Sequence, residues 1–544
     1  MKFYKYILGV AVAAFGLMPV SCVDDLDVEP TDPNTATAPT SKENLDGLLS
    51  SVYYDLYTNE GLSLSDGGRG VFTRTHFCLN EITADEFFIS DQWQDPGYKV
   101  LNFNTWTDSN EWIYAAFSRE NHLAKIASVY ISELHKYGGE YYTDEEIAAL
   151  DAEARVLRGY AYYQNIDCFG RGPWIDENSV TGATPPTYDR KQLFDAVVAD
   201  LAAHIDNLPP ASEQYYSRIN RETGYMLLAK LYLNAEVYTG TAMWQQCADA
   251  LKNVVGTGLT LAPTYKYLFC ASNEKYLGNG EIIWGLPEKQ NYLETWGGTR
   301  AIVSSSILPP DNPDSPLARE VFALNYPSDG WAGLRLRPEL SRALNNDPRR
   351  LVYEGSYQGD IPTLAGVKEN SCGYMLTKFR YVTEDDYDRT AALAEWDKIN
   401  AVNKTLGEDS PDRLAYPKVD KVGDASDIAL PVFRLADAYL MLAECQMHGI
   451  ECNGYYYFNQ VRQRVGLAPI DTPTASEILQ ERQCELYGEG FRRSDLIRFG
   501  RYSGSTYQWS WKGGQYAGVA IDKTREVFPI PYQYVNTVGQ NPGY

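Results

Sequence analysis

Apolar residues recur three and four places apart along most of the chain, and that spacing commits it to a mainly helical fold. Leu123, Ile126, Tyr130 and Leu134 line one face, and Ile147, Leu150, Ala154, Leu157 and Ala161 the next. Thr143 and Glu146 form a capping box ahead of the second. Phe194, Val197, Leu201, Ile205 and Leu208 make a third face, stopped by Pro209 and Pro210. Tyr225 to Ala235 and Trp244 to Val254 follow, and Leu435 to Cys445, Tyr457 to Val465 and Ile478 to Glu485 repeat the pattern near the C-terminus. Helices paired through short connections, with small or aromatic residues at their crossings, resemble degenerate tetratricopeptide repeats.

Residues 262–430 break this rhythm. They are rich in Gly, Pro, Asp and Asn, yet Trp284, Trp296, Trp331 and Trp396 argue for order, because disordered tracts are poor in aromatics. The segment reads as loops and short strands docked on the helices, and a long irregular stretch of this kind usually carries function. Tyr (42) outnumbers Phe (18), so the rings with a polar tip serve either an amphipathic interior or a gripping surface.

Charge and motifs narrow the function. The 48 basic and 72 acidic residues leave a net charge of −24, which excludes a nucleic-acid partner because such binding needs cations to neutralise phosphates. No HExxH, GxSxG or P-loop occurs, and the nine Cys show no metal or disulfide spacing. Scattered buried thiols are expected instead.

The first residues, MKFYKYILGVAVAAFGLMPVSC, have a basic start, an apolar run and small residues before Cys22. This is a secretory signal over 1–21, too short to span a membrane. PVSC resembles a bacterial lipoprotein cleavage box, which makes Cys22 the lipidated first residue of the mature protein. Residues 22–45, rich in Asp, Pro and Thr, then form a tether.

Three C-terminal blocks carry a family resemblance. VRQRVGL (461–467), ILQERQCELYGEGFRRSDLIRFGRY (478–502) and VFPIPYQYVNTVGQNPGY (527–544) together resemble the SusD/RagB family of outer-membrane lipoproteins from Bacteroidota. EARVLRGYAYYQNIDCFGRGPW (153–174) and FRLADAYLMLAEC (433–445) resemble its other helical blocks. The resemblance implies four tetratricopeptide-like helix pairs plus an irregular binding region. It divides the body into an N-terminal helical region (46–261) and a C-terminal region (262–544) whose binding segment is 262–430. It also implies a lipid-anchored protein on the outer membrane, facing the exterior, that passes glycan to a SusC-like TonB-dependent transporter. Asp24, Asp25 and Asp27 resemble an export signal to that face. Read from the residues themselves, Glu481, Arg482, Glu485, Glu489, Arg492, Asp495 and Arg498 alternate in sign at helical spacing and predict an internal ion-pair network.

A glycan offers C–H-rich ring faces and a rim of hydroxyls, so its site needs aromatic platforms edged by polar side chains. ISDQWQDPGY (89–98) offers Trp93 beside Asp91; NYLETWGGTR (291–300) offers Tyr292, Trp296 and Arg300; SDGWAGLRLRPEL (328–340) offers Trp331 with Arg335 and Arg337. Tyr507, Trp509 and Trp511 alternate before Gly-Gly and predict a hairpin packed on the core instead. The leading expectation is a non-catalytic glycan-capture protein needing no cofactor, although oxygen-rich loops could hold structural calcium without a motif. A peptide-capture protein on the same scaffold and a two-carboxylate glycoside hydrolase are the alternatives.

Overall fold

The computed structural model describes residues 39–58, 69–90, 97–179, 184–215, 217–278, 280–306, 330–331, 333–354, 358–368, 372–381, 383–387, 398–399, 401–403, 405–406, 410–414 and 427–544. The signal, Cys22 and residues 22–38 of the expected tether, as well as Asp91, Trp93 and Trp396, lie outside them, whereas the tether's last residues, 42–45, already belong to the first helix. Among the described residues no helix is long and apolar enough to cross a membrane.

The helical faces read from the sequence pack against the core, with Ile126, Ile147, Leu150 and Trp244 among those only partly buried at its edge. The scaffold begins with α1 (Lys42–Tyr54) and the short α2 (Phe72–Phe77). Two long helices follow, α3 (Glu111–Tyr137) and α4 (Asp144–Cys168). Asn110 caps α3 through the amides of Trp112 and Ile113, and the predicted Thr143–Glu146 box opens α4. Then come α5 (Arg190–His204), α6 (Arg221–Leu233) and α7 (Trp244–Leu251). After the irregular region, which contains α8 (Gly298–Ser306), the chain forms α9 (Leu435–Met447), α10 (Gly454–Arg464), α11 (Ala475–Leu486) and α12 (Arg492–Arg498). Neighbours pack in sequence: α3 on α4, α4 on α5 and α6, α6 on α7, α7 on α9, and α9 on α10 and α11. Gly159 lets α4 approach its neighbours closely, since a Cβ there would lie 3.0 Å from Leu201 and 3.3 Å from Leu227.

Among the described residues, eight short strands tie distant segments into four antiparallel pairs. They are β1 (Phe87–Ile89), β2 (Arg171–Pro173), β3 (Thr187–Asp189), β4 (Ile282–Leu286), β5 (Leu334–Leu336), β6 (Val352–Tyr353), β7 (Met375–Leu376) and β8 (Leu430–Arg434). β1 pairs with β5, β2 with β3, β4 with β8 across a bulge, and β6 with β7. The irregular region is thereby stitched to the N-terminal half through β1 and β5. The C-terminal tail closes over the end of α4. Phe528 N donates to Cys168 O (2.7 Å), and Asn541 Nδ2 to the carbonyls of Phe169 and Phe528, both at 2.8 Å. The eight described cysteines are free and all but Cys452 are buried, as expected.

One expectation needs correction. Residues 507–516 form no hairpin: Trp511 has φ +67° and both Gly513 and Gly514 are also left-handed, so the extended run breaks into a tight turn. Trp509 and Trp511 are nonetheless buried, as the packing argument required.

The predicted ion-pair network is internal, but it does not run along one helix. Arg434, at the end of β8, reaches Glu281 (2.6 Å), Glu485 (2.9 Å) and Glu489 (2.7 Å). Arg464 of α10 meets Glu281 (2.8 Å) and Glu485 (2.6 Å), and Arg349 meets Glu481 (2.6 Å) and Glu485 (3.1 Å). Arg482 bridges Asp437 (2.9 Å) and Asp495 (2.8 Å), while Lys230 of α6 takes the other side of Asp437 (2.5 Å). Within the predicted set, Arg498–Asp495 is a near-neighbour helical pair. The rest join α6, α9, α10, α11 and α12 to the ends of β4 and β8.

Two kinds of buried acid give stability opposite pH slopes. Burial alone would raise Asp495, but Arg482 and Arg498 outweigh it and hold its carboxyl at about 2. Its stabilisation is complete above the usual 3.8 and is lost as pH falls towards 2. Glu81 and Glu86 share a hydrogen bond in a buried site; burial pushes Glu81 up to about 7 and, with the charge of Glu81, raises Glu86 further. A carboxyl raised in this way binds more protons folded than unfolded between about pH 4.5 and 7, so stability falls as pH rises through that window. Glu81→Gln, which imitates the protonated acid, is expected to make that decline shallower in melting curves taken at stepped pH. An unchanged slope would show that the pair does not titrate there.

Candidate functional site

Two of the sequence-predicted platforms meet at one surface. After β4 the chain makes a tight reversal in which Lys289 and Leu293 exchange backbone hydrogen bonds (2.9 and 2.8 Å), and Asn291 takes φ +65°. This turn holds Tyr292 out in solvent, 87% exposed. Thr295 then anchors the segment by donating from Oγ1 to Tyr57 O at 2.7 Å. Gly297 is required next, because a Cβ would lie 2.4 Å from Val71 Cγ1. Gly298 has φ +56°, and its N–H donates to Thr73 Oγ1 (2.9 Å) as α8 begins. Trp296 is left with its ring 42% exposed.

Trp331 is brought beside it from the far end of α8, where its N–H donates to Ser304 O at 2.7 Å. The two indoles lie nearly parallel, 20° apart, with centroids 6.1 Å apart. That separation is too wide for face-to-face stacking, so the planes are offset and form a stepped apolar surface. Each ring is backed by a buried guanidinium. Arg300 Cζ lies 3.6 Å from the Trp296 centroid, and Arg74 Cζ lies 5.3 Å from that of Trp331 and 5.2 Å from that of buried Trp112. Cation–π contacts out of solvent are stronger than exposed ones, so these arginines fix the ring orientations. Arg300 was a sequence candidate; Arg74 was not, and nothing in its TRTH context signals the role.

Arg335 and Arg337 are elsewhere. Both are fully buried on or beside β5, since the β1–β5 pair is enclosed on both faces. Arg335 Nη1 donates to Leu334 O (2.8 Å) and Ser306 O (3.1 Å). Arg337 spans Phe87 O, Ser510 O, Ile82 O and Asn102 O, and burial lowers it to about 10. In this conformation these two guanidiniums serve the backbone and offer no rim to a surface ligand. Asp91 and Trp93 fall in 91–96, outside the described residues, but the residues flanking them are fixed near Trp331 and Trp112. Ser90 N donates to Gly333 O (2.9 Å), and Gly97 O accepts from Asn110 Nδ2 (3.1 Å).

Among the described residues one mixed cluster has metal-ligand atoms close together: His76, Glu120 and Cys168, within 4.8 Å. His76 Nδ1 bonds Phe72 O (2.7 Å) and Nε2 bonds Glu120 Oε1 (3.0 Å), a self-satisfied buried pair. Its nitrogen and sulfur are not the all-oxygen shell that calcium takes.

Two family models match in tandem. One, described as "Starch-binding associating with outer membrane", matches residues 26–233, and the "SusD family" model matches residues 281–544. The chain belongs to the SusD/RagB family. Starch-binding protein SusD of Bacteroides thetaiotaomicron is 25% identical over 585 residues, covering 100% of this chain and 99% of that protein. SusD-like protein P25 of Formosa agariphila is 23% identical over 492 residues, or 83% and 79% of the two chains. Among solved structures, a laminarin binding SusD-like protein matches 93% of this chain and 100% of its own with a TM-score of 0.64 at 21% identity. Surface glycan-binding protein A from B. thetaiotaomicron in complex with laminarihexaose matches 92% and 100% with a TM-score of 0.65 at 20% identity. The mainly helical SusD-like fold expected from the C-terminal blocks is therefore the fold observed. The stepped tryptophan surface is a feature of this chain's irregular region, which those blocks flank but do not contain.

Proposed function

We propose that this SusD-family chain is a non-catalytic glycan-binding protein that captures a neutral oligo- or polysaccharide and passes it to a SusC-like TonB-dependent transporter at the outer membrane. The observation that carries the reading is the exposed Trp296 stepped against Trp331, with buried guanidiniums behind both rings. Such a surface fits the C–H faces of sugar rings and holds each unit weakly, so useful affinity needs several units. Acid–base chemistry is not its design. Glu288 and Glu294, the carboxylates nearest to Trp296 in the chain, are tied to the amides of Thr299 and Asn291 at 2.7 Å. The relatives named for starch and laminarin make a glucan the first substrate to try.

The test is native affinity electrophoresis of the protein through gels containing starch, laminarin, inulin, xylan or mannan. Retardation by at least one is expected and identifies the sugar class; free migration through all of them would overturn the glycan reading. Lipid anchoring at Cys22 is part of the same proposal. Cys22→Ala is expected to move the protein from the outer-membrane to the soluble fraction in a strain lacking the transporter, and continued co-sedimentation would defeat it.

A further inference from the structure

A second concave site, a cavity of about 740 Å³, opens beside the tryptophan surface rather than within it. That volume lies in the range of about 300–1,000 Å³ usual for small-ligand sites. One wall is α1, where Leu45 and Val52 turn into the core while Leu49, Tyr53, Tyr54 and the following Tyr57 line the cavity. The second wall is the turn before α6, with Tyr215 and Ser217, and the third is Leu293.

The chemistry of this cavity selects its occupant. Tyr54 and Tyr215 are 48% and 73% exposed, and a phenol combines a flat apolar face with a hydroxyl at its edge. Arg218 is the one cation among the described lining residues, and it is spent on Glu153, with Nε donating to Oε1 at 2.8 Å. Tyr53 bonds the same carboxylate through its hydroxyl, which also accepts from Ile219 N (2.9 Å). With that cation neutralised and Asp46 on the rim, the cavity does not favour an anion. Ser217 sits at φ +65°, a costly conformation for a residue with a Cβ and one that clusters at ligand clamps. The cavity and the tryptophan surface are also joined through the backbone. Leu293 lies between exposed Tyr292 and Thr295, and the Thr295–Tyr57 hydrogen bond fastens the Trp296 segment to the end of α1.

We infer that this tyrosine-lined cavity is a second saccharide-binding site, taking a neutral sugar chain that runs over Tyr292 from the tryptophan surface. The inference rests on the glycan reading above. It makes the protein a binder of extended chains, with two sites on one polymer acting through effective concentration.

The experiment titrates the full chain, its Tyr54→Ala/Tyr215→Ala double variant and Trp296→Ala against starch, laminarin, inulin, xylan and mannan, and against the hexasaccharide of each backbone. Both tyrosines are exposed, so the double variant should melt with the wild type, and a melting curve checks this. Its polysaccharide affinity is expected to fall about five- to tenfold. Unchanged polysaccharide affinity in the double variant, with loss in Trp296→Ala, would overturn the second site and leave the glycan reading standing. The same result with weaker transporter co-purification would assign the cavity to a protein partner, again overturning it. A wild type that binds none of these probes would remove both readings.

Discussion

Arg434→Ala is expected to lower the unfolding free energy by about 3–5 kcal/mol, the cost of removing one partner from a buried charge cluster. Arg434 is fully buried and neutralises three carboxylates from two distant stretches, Glu281 before β4 and Glu485 and Glu489 at and just past the end of α11. Arg464 would still face Glu281 and Glu485, and Lys378 would still face Glu489 at 2.7 Å, but Arg349 is already shared among Asp347, Glu481 and Glu485, so acids would outnumber cations in a dry site. Arg434→Lys keeps the charge and loses the fork, because one ammonium cannot present the parallel donors that now reach Glu489 through Nε and Nη2, both at 2.7 Å. It should cost less than alanine and more than a surface substitution. Denaturant unfolding measures both. A loss under about 1 kcal/mol for Arg434→Ala would mean that water or neighbouring cations replace the guanidinium, and that the network is not what joins β8 to α11.

That network also marks where sequence reasoning stops. The signs of Glu481, Arg482, Glu485 and Asp495 were readable because helical spacing is local, and they do form an internal network. Their partners were not readable: Arg434 meets Glu281 across 153 positions and Arg349 meets Glu485 across 136. Helix faces and the Thr143 cap depend on residues a turn apart, which is why they survive into the structure unchanged. The failures have one local cause and one distant one. A period-2 aromatic pattern at 507–511 promised a strand, but left-handed backbone at Trp511 and the glycines after it overrides side-chain alternation. Arg335 beside Trp331 looked like a sugar-edge pair, yet whether β5 is enclosed on both faces is decided by β1, far away in the chain. Trp296 and Trp331 each stood out as aromatics among glycines and polar residues. Their adjacency depends on α8 carrying the chain from one to Ser304, where the other is hydrogen-bonded, and no motif records that.

Trp296→Ala is expected to weaken polysaccharide binding tenfold or more without changing the melting temperature. A ring–sugar contact is worth about 0.5–1.5 kcal/mol beyond its area, and each 1.4 kcal/mol is tenfold in affinity. The loss should exceed one contact, because the indole also covers Arg300, which is buried 3.6 Å behind its centroid. Removing the ring exposes a charged guanidinium where a sugar face would rest, replacing an apolar platform with a polar one. Trp331→Ala should be milder, as that ring is half-buried and offers less area. The double variant should fall short of the sum, since rings 6.1 Å apart contact the same sugar units. Arg300→Met separates platform from support. It leaves the indole in place but removes the cation that orients it, so affinity should drop less than in Trp296→Ala, with a larger entropic penalty in the titration. Equal affinity of wild type and Trp296→Ala for the polysaccharide that retards the protein would remove this surface from the binding site, and weight would pass to the sequence candidate Trp93.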